Sequence, residues 1–250
     1  MAKTVVPQDA RQRRRRTKQG QVLSHELIVE TALRMLSEHG AQGLTARRLG
    51  LGLGADASAV YRYFNGMDDL VLAIADELMN RAVARWQPIG DWRADLRALG
   101  LRIHSAYLAH PQAAVLTANR VSGRAHEVAA DEAILATLRT AGFTDRAAVR
   151  IYHVFIDQSL AFAALDAASI AMPEQSRRVD EDVWRATYAR LPKLTYPHIA
   201  ASAELLVERM NQSAYPAALD LLLAAAAAEL RGADGTGDPE RRTARRDSRR

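Results

Sequence analysis

The sequence predicts an all-α protein, built as a small N-terminal helix-turn-helix unit followed by a larger helical domain. Three observations predict it. Apolar residues recur at helical spacing through most of the 250 residues, and no segment alternates like a strand. Prolines and glycines fall where helices need to stop, as at Pro111, Gly142 and Pro173. The stretch from Leu44 to Leu70, LTARRLGLGLGADASAVYRYFNGMDDL, reads as two short helices joined by a glycine turn and followed at once by a third.

Each element of the first unit has its own signal. An amphipathic helix runs from Ser24 to Glu38 and ends at Gly40. Thr45 is an N-cap for a second helix carrying Arg47, Arg48 and Leu49, and Gly54 supplies the positive φ of a tight helix-helix turn. Asp56 is read as the cap of the third helix. There Val60 and Phe64, four apart, face inward, which leaves Ala57, Ser58, Ala59, Tyr61, Arg62 and Tyr63 pointing outward or along the edges. Small, hydroxyl, aromatic and guanidinium groups crowded on one short helix suit a major groove. Gly50 and Gly52 each cost about 1 kcal/mol of helix propensity against alanine, so the second helix is expected to fray before DNA binds. A fourth helix opens at Asp68-Asp69-Leu70, carries Val71, Ile74 and Leu78, and ends near Trp86-Gln87-Pro88.

The remainder is helical. Helices are expected over Asp91 to Ala109, Pro111 to Asn119, Glu127 to Ala141, Asp145 to Ala171, His198 to Met210 and Pro216 to Arg231. Pro173 to Pro197 is less regular, with Trp184 and Tyr188 on a short helix. The domain boundaries that follow are a basic, disordered arm over 1–22, the helix-turn-helix unit over 23–70 linked onward by the helix over 67–86, the larger domain over 87–231, and a disordered tail over 232–250.

The first helix, Gly40, Leu44-Thr45, Leu53-Gly54, the run Val60-Tyr61-Arg62-Tyr63-Phe64 and Asp68-Asp69-Leu70 together resemble the N-terminal domain of tetracycline-repressor-type (TetR-type) transcriptional regulators. The resemblance implies that Thr45, Arg47, Arg48, Ala57, Ser58, Tyr61, Arg62 and Tyr63 meet DNA, with Arg47 able to reach a base edge and Arg48 equally suited to a phosphate. It also exposes a departure, because the family usually has a phosphate-binding lysine at the start of the fourth helix, where Met67 stands here. The larger domain resembles the family's ligand-binding and dimerisation domain. By that resemblance the long helix bearing Ala161, Ala163, Ala164, Ala167 and Ala168 and the last helix, with Ala217, Ala218, Leu221 to Leu223 and Ala224 to Ala228, pair across a two-fold axis. Small side chains let helix axes approach closely. A homodimer also suits the DNA half, since two recognition helices can dock in major grooves about 34 Å apart on a palindromic double-stranded operator.

Charge is distributed unevenly. Residues 1–25 hold seven Lys or Arg and one acid, a net of +6, and residues 232–250 hold six Arg and four acids, a net of +2, so the body carries 5 − 6 − 2 = −3. A basic surface spread over the whole fold is excluded, and the run RQRRRRTKQG lies ahead of the first helix, where an arm can follow a DNA backbone. With no cysteine there is neither a disulfide scaffold nor a cysteine-based zinc site. No apolar run is expected to reach the ~20 residues of a membrane span, and the chain is read as cytoplasmic.

A small-molecule effector site is expected among polar and aromatic residues on otherwise apolar helices: His104, Tyr107, Thr117, Asn119, Arg120, Tyr152, Phe155, Gln158, Phe162 and Trp184. No cofactor or metal is expected. The family's tetracycline-binding member holds the drug's magnesium through a histidine seven residues beyond one that resembles His110, and Thr117 occupies that place here. A Gly-rich phosphate loop, a G-x-S-x-G elbow and an H-E-x-x-H motif are all missing, so the chain is not read as an enzyme. The expected function is a repressor released by a small hydrophobic effector. The other reading is a helical DNA-binding protein without such an effector, architectural or answering to a protein partner.

Overall fold

The computed structural model describes residues 22–235, so the arginine-rich run and the tail beyond 235 lie outside the described residues, while residues 232–235, expected to be disordered, continue the last helix. Among the described residues there are eleven α-helices and no strand. Helix α1 (His25–His39) begins where the Ser24 hydroxyl accepts the Leu27 N–H at 3.1 Å. A single 3₁₀ turn leads to α2 (Ala46–Gly52), capped as the sequence suggests by Thr45, whose hydroxyl accepts the Arg48 N–H at 3.3 Å. Gly54, with φ 62°, then turns the chain into α3 (Ala57–Val60). Asp56 holds the N-cap position of α3, but its side chain makes no capping hydrogen bond, contrary to expectation. Helix α4 (Met67–Val83) follows. Ile28, Leu36, Leu49, Val60, Leu70 and Ile74 are wholly buried among these helices.

Helix α2 is formed over its full length, and its glycines are explained by packing. A Cβ at Gly50 would lie 2.8 Å from the Ala57 nitrogen and 2.9 Å from the Ala55 carbonyl oxygen. The backbone of α3 therefore crosses α2 where only glycine leaves room, and that close approach outweighs the loss of helix propensity.

The second domain comprises α5 (Trp92–Leu108), α6 (Pro111–Thr117), α7 (Ala125–Thr140), α8 (Asp145–Ala171), α9 (Glu174–Arg190), α10 (Pro197–Arg209) and α11 (Tyr215–Gly235). Helix α8 lies at its centre, packed on α5 and α6 and flanked by α7 and α11. Tyr215 of α11 is fully buried against α5, because Gly100 presents no side chain to its hydroxyl. Two expectations need correction. The segment after Pro173 is a regular 17-residue helix, α9, which packs chiefly on α10, and neither helix has a buried residue. Its apolar residues, Val179 and Val183 then Trp184 and Tyr188, do repeat every four positions, but charged neighbours hide the pattern. Helix α8 is, by length and composition, long and apolar enough to cross a membrane, which the sequence reading expected of no segment. Its Ile151, Phe155, Ser159, Ala163 and Ala167 face inward as a buried stripe within this domain.

Candidate nucleic-acid interface and effector region

On α2 and α3 the structure leaves Thr45, Arg47, Arg48, Ser58, Tyr61 and Arg62 exposed, with Ala57 half-buried at the rim; Tyr61 is 53% exposed despite its large ring. Tyr63, expected to point outward or along the edge, is half-buried at the edge. Its hydroxyl donates to the Leu23 carbonyl at 2.7 Å, and its ring stands edge-on to His25 at 5.1 Å. After Val60 the helix tightens into i to i+3 bonding, the Tyr63 N–H donating to the Val60 carbonyl at 3.0 Å, and this rotation carries Tyr63 inward against α1. Ala59, also expected to point outward or along the edge, is buried. Tyr63 thus braces the recognition segment.

The start of α4 is acidic and held from the second domain. Asp69 accepts the Asn65 N–H at 2.8 Å and pairs with Arg124 at 2.6 Å, while Asp68 pairs with Arg120 at 2.9 Å. The hydrogen bond from Arg120 keeps the Asp68 carboxyl below its usual range. Farther along, the Asp76 carboxylate accepts the N–H groups of His126 and Glu127, each at 3.0 Å, and lies 2.8 Å from His126 Nδ1. Helix α7 has no capping side chain of its own, so Asp76 of α4 supplies one from across the interface. Arg81 completes the grip, bonded to Glu77, to Glu30 of α1 and to His110 before α6. Burial, reinforced by Arg81, pushes the His110 imidazole below its usual pKa. No local spacing in the sequence marks the contacts of α4 with the second domain, since those partners stand 29 to 55 residues apart.

The ten residues expected to form an effector site do not share one cavity wall. His104 is buried, bonded to Asp166 at 2.8 Å and stacked on Tyr215 at 4.7 Å. Phe155 is wholly buried, and Phe162 packs at a tilt on Tyr215. Tyr107 is buried, and burial, with Glu127 and Asp76 nearby, pushes its phenol up. Thr117 is buried and donates to the Ala113 carbonyl of its own helix at 2.8 Å, so its hydroxyl is already engaged. Tyr152 is half-buried beside Asp131; burial and that carboxylate raise the phenol, and burial raises Asp131. Gln158 keeps Oε1 buried without a hydrogen-bond partner. Asn119 is exposed, Arg120 is spent on Asp68, and Trp184 stands edge-on to Tyr188 on α9. Among the described residues no group of three His, Cys, Asp or Glu is placed to hold a metal ion.

A cavity of about 660 Å³ lies elsewhere, between the α4–α5 connection and α7. Trp86, Pro88, Ile89, Gly90, Trp92 and Asp95 form one wall, and Ala133, Ala136, Thr137, Thr140 and Ala141 form the other. Its lining residues lie outside the set that the sequence singles out for an effector. The available signal was Trp86 and Trp92 bracketing Pro88 and Gly90, but the opposing wall is some forty residues downstream.

Comparisons with known proteins agree with this architecture. A family model described as Tetracyclin repressor-like, C-terminal domain matches residues 86–230, and one described as Bacterial regulatory proteins, tetR family matches residues 28–74. The HTH-type transcriptional repressor DrrR1 of Streptomyces coeruleorubidus is 28% identical over 191 residues, covering 73% of this chain and 69% of DrrR1. A solved structure described as a possible TetR family transcriptional regulator from Streptomyces coelicolor A3(2) aligns with a TM-score of 0.70 and 28% identity, over 82% of this chain and 99% of that one. ActR from Streptomyces coelicolor, in complex with actinorhodin, has the same fold at a TM-score of 0.69 and 22% identity, over 86% of this chain and 98% of its own. With a family match over both the helix-turn-helix unit and most of the helical domain behind it, the chain belongs to the tetracycline-repressor family of transcriptional regulators.

Proposed function

We propose that the protein is a homodimeric repressor that binds a palindromic operator in the cytoplasm and is released from it by a small hydrophobic effector. The observation that carries this reading is the grip of the second domain on α4, through Asp68, Asp69, Asp76 and Arg81. Helix α4 opens directly after the recognition segment, so a ligand that repacks the second domain changes where that segment sits. An effector with different affinities for the two arrangements must alter operator affinity by the same free energy. DrrR1 is named a repressor and ActR was solved with actinorhodin, a small molecule, which supports the same reading for this relative.

Dimerisation is supported by two apolar stripes that the single chain leaves open. On α8 these are Val154, Ala161, Leu165 and Ala168, and on α11 they are Ala217, Leu221, Ala224, Ala225 and Ala228. Leu165 is 66% exposed and Leu221 73% exposed, the arrangement of two helices that complete a four-helix bundle with a second copy. Selection of bound fragments from genomic DNA tests the function. A recovered two-fold site whose complex is dissociated by a compound that also raises the thermal stability of the free protein is the expected result. Binding without sequence preference, or a complex unmoved by every compound that binds the protein, favours the effector-free alternative.

A further inference from the structure

The recognition segment is too short to hold its own shape. Helix α3 has four residues, far below the ~12 at which a helix becomes marginally stable alone, and the exposed Tyr61 and Arg62 stand in the turn that follows it. Within that turn the Arg62 N–H donates to the Ala59 carbonyl at 3.3 Å, and the Tyr63 and Phe64 N–H groups share the Val60 carbonyl at 3.0 Å. Where Tyr61 and Arg62 point is therefore set by what grips the far end of the turn.

The grip comes from three consecutive residues at the start of α1. The Leu23 carbonyl accepts the Tyr63 hydroxyl at 2.7 Å, Ser24 caps the helix, and His25 Nε2 lies 3.1 Å from the Tyr63 carbonyl oxygen. Because a carbonyl can only accept, Nε2 carries the hydrogen and donates it. The same imidazole stands edge-on to Tyr63 and to the buried Phe64, with centroids 5.1 Å away in both cases and interplanar angles of 81° and 74°. Tyr63 is thus held by its backbone and by its side chain, directly after Arg62.

We propose that His25 is a positioning residue for operator reading, which keeps Tyr61 and Arg62 in register through the Tyr63 carbonyl and does not itself touch DNA. The inference rests on the operator-binding reading above. Phosphate contacts depend on charge and tolerate a shifted segment, whereas a base edge is read by hydrogen bonds of narrow geometry. Loss of the clasp therefore costs selectivity before it costs general affinity for DNA.

The test compares two duplexes of equal length, one selected by the parent protein from random-sequence DNA and the other with the same bases shuffled. His25→Phe keeps a ring and removes the donor; it should bind the selected duplex about tenfold more weakly and the shuffled one within about twofold of the parent. His25→Gln returns an N–H at similar reach and should recover most of the loss. In both variants the salt dependence of binding should match the parent, because no phosphate contact is removed. Equal weakening on the two duplexes, as general destabilisation would give, overturns the proposal. A His25→Gln protein no better than His25→Phe also overturns it, by removing the hydrogen bond as the cause, and so does a flattened salt slope, which makes His25 a phosphate contact. A parent protein without preference for its selected duplex contradicts the operator-binding reading and this inference with it. A parent with that preference, retained in full by His25→Phe, contradicts this inference alone.

Discussion

Replacing Gly50 and Gly52 in turn by alanine separates local propensity from packing, because the two glycines lie on one short helix, Gly50 inside it and Gly52 at its last residue, and face different neighbours. Alanine is favoured over glycine inside a helix by about 1 kcal/mol, so propensity alone expects both variants to be more stable. At Gly52 the new Cβ would meet Thr31 Cγ2 at 3.4 Å and Met35 Sδ at 3.7 Å, which are ordinary contacts with side chains, and the gain should be kept. At Gly50 it would stand 2.8 Å from the Ala57 nitrogen and 2.9 Å from the Ala55 oxygen, which are backbone atoms with no rotamer to escape through. Overpacking of this kind costs about 1–3 kcal/mol. Set against the propensity gain, Gly50→Ala should lose up to about 2 kcal/mol and force α2 and α3 apart by some tenths of an ångström. Thermal unfolding followed by circular dichroism, with operator affinity by fluorescence anisotropy, reads both effects. Gly52→Ala should raise Tm by about 2–4 °C, while Gly50→Ala lowers it and weakens operator binding. A Gly50→Ala protein that is as stable as its parent and binds DNA as well would refute the packing argument.

Three further expectations concern other parts of the molecule. Arg47→Ala should cost about 1–3 kcal/mol at the selected operator and relax preference at one base pair, measured on a panel of single-substitution duplexes; an unchanged panel removes Arg47 from base readout. Gly100→Ala would place a Cβ 2.5 Å from the Tyr215 hydroxyl and 2.9 Å from Leu219 Cδ2, so it should destabilise the domain by about 1–3 kcal/mol, and adding Tyr215→Phe should recover part of that loss in denaturant unfolding. Stability should also fall in alkali. Burial pushes the Tyr215 phenol up to about 12 and raises Tyr107 and Tyr152 as well, so the folded state holds these protons more tightly than the unfolded chain does. Their contribution is complete below pH ~10 and is lost as pH rises through the folded values, at about 1 kcal/mol per pH unit for each such group. Denaturant midpoints between pH 10 and 12 check it, and Tyr215→Phe should flatten the slope.

The helix-turn-helix was legible because its signals are local. Thr45 caps, Gly54 turns, and Val60 and Phe64 point inward within a few residues of one another, and the structure keeps all of these. What the sequence does not mark is the bond from the Tyr63 hydroxyl to the Leu23 carbonyl, because the two residues stand 40 positions apart. The effector region was less legible for a different reason. A histidine or tyrosine on an apolar helix looks the same in sequence whether it lines a cavity or closes a core, and His104, Tyr107 and Phe155 turned out to be packed. Conversely, Asp76 reads as one more acid on α4 until the structure brings the uncapped start of α7 against it.

Leu221→Glu tests the central claim, that two copies act together on DNA. Leu221 is 73% exposed in the single chain, so a glutamate there leaves the fold of one subunit intact and is harmful only if a second copy covers it. In that case it places a carboxylate in an apolar interface, at a cost of several kcal/mol. Sedimentation equilibrium at micromolar concentration, with and without operator duplex, reads the outcome directly. The account expects the parent protein to sediment as a dimer and to load two chains on each duplex, and the variant to sediment as a folded monomer without tight operator binding. A variant that remains a dimer and still binds its operator would contradict it.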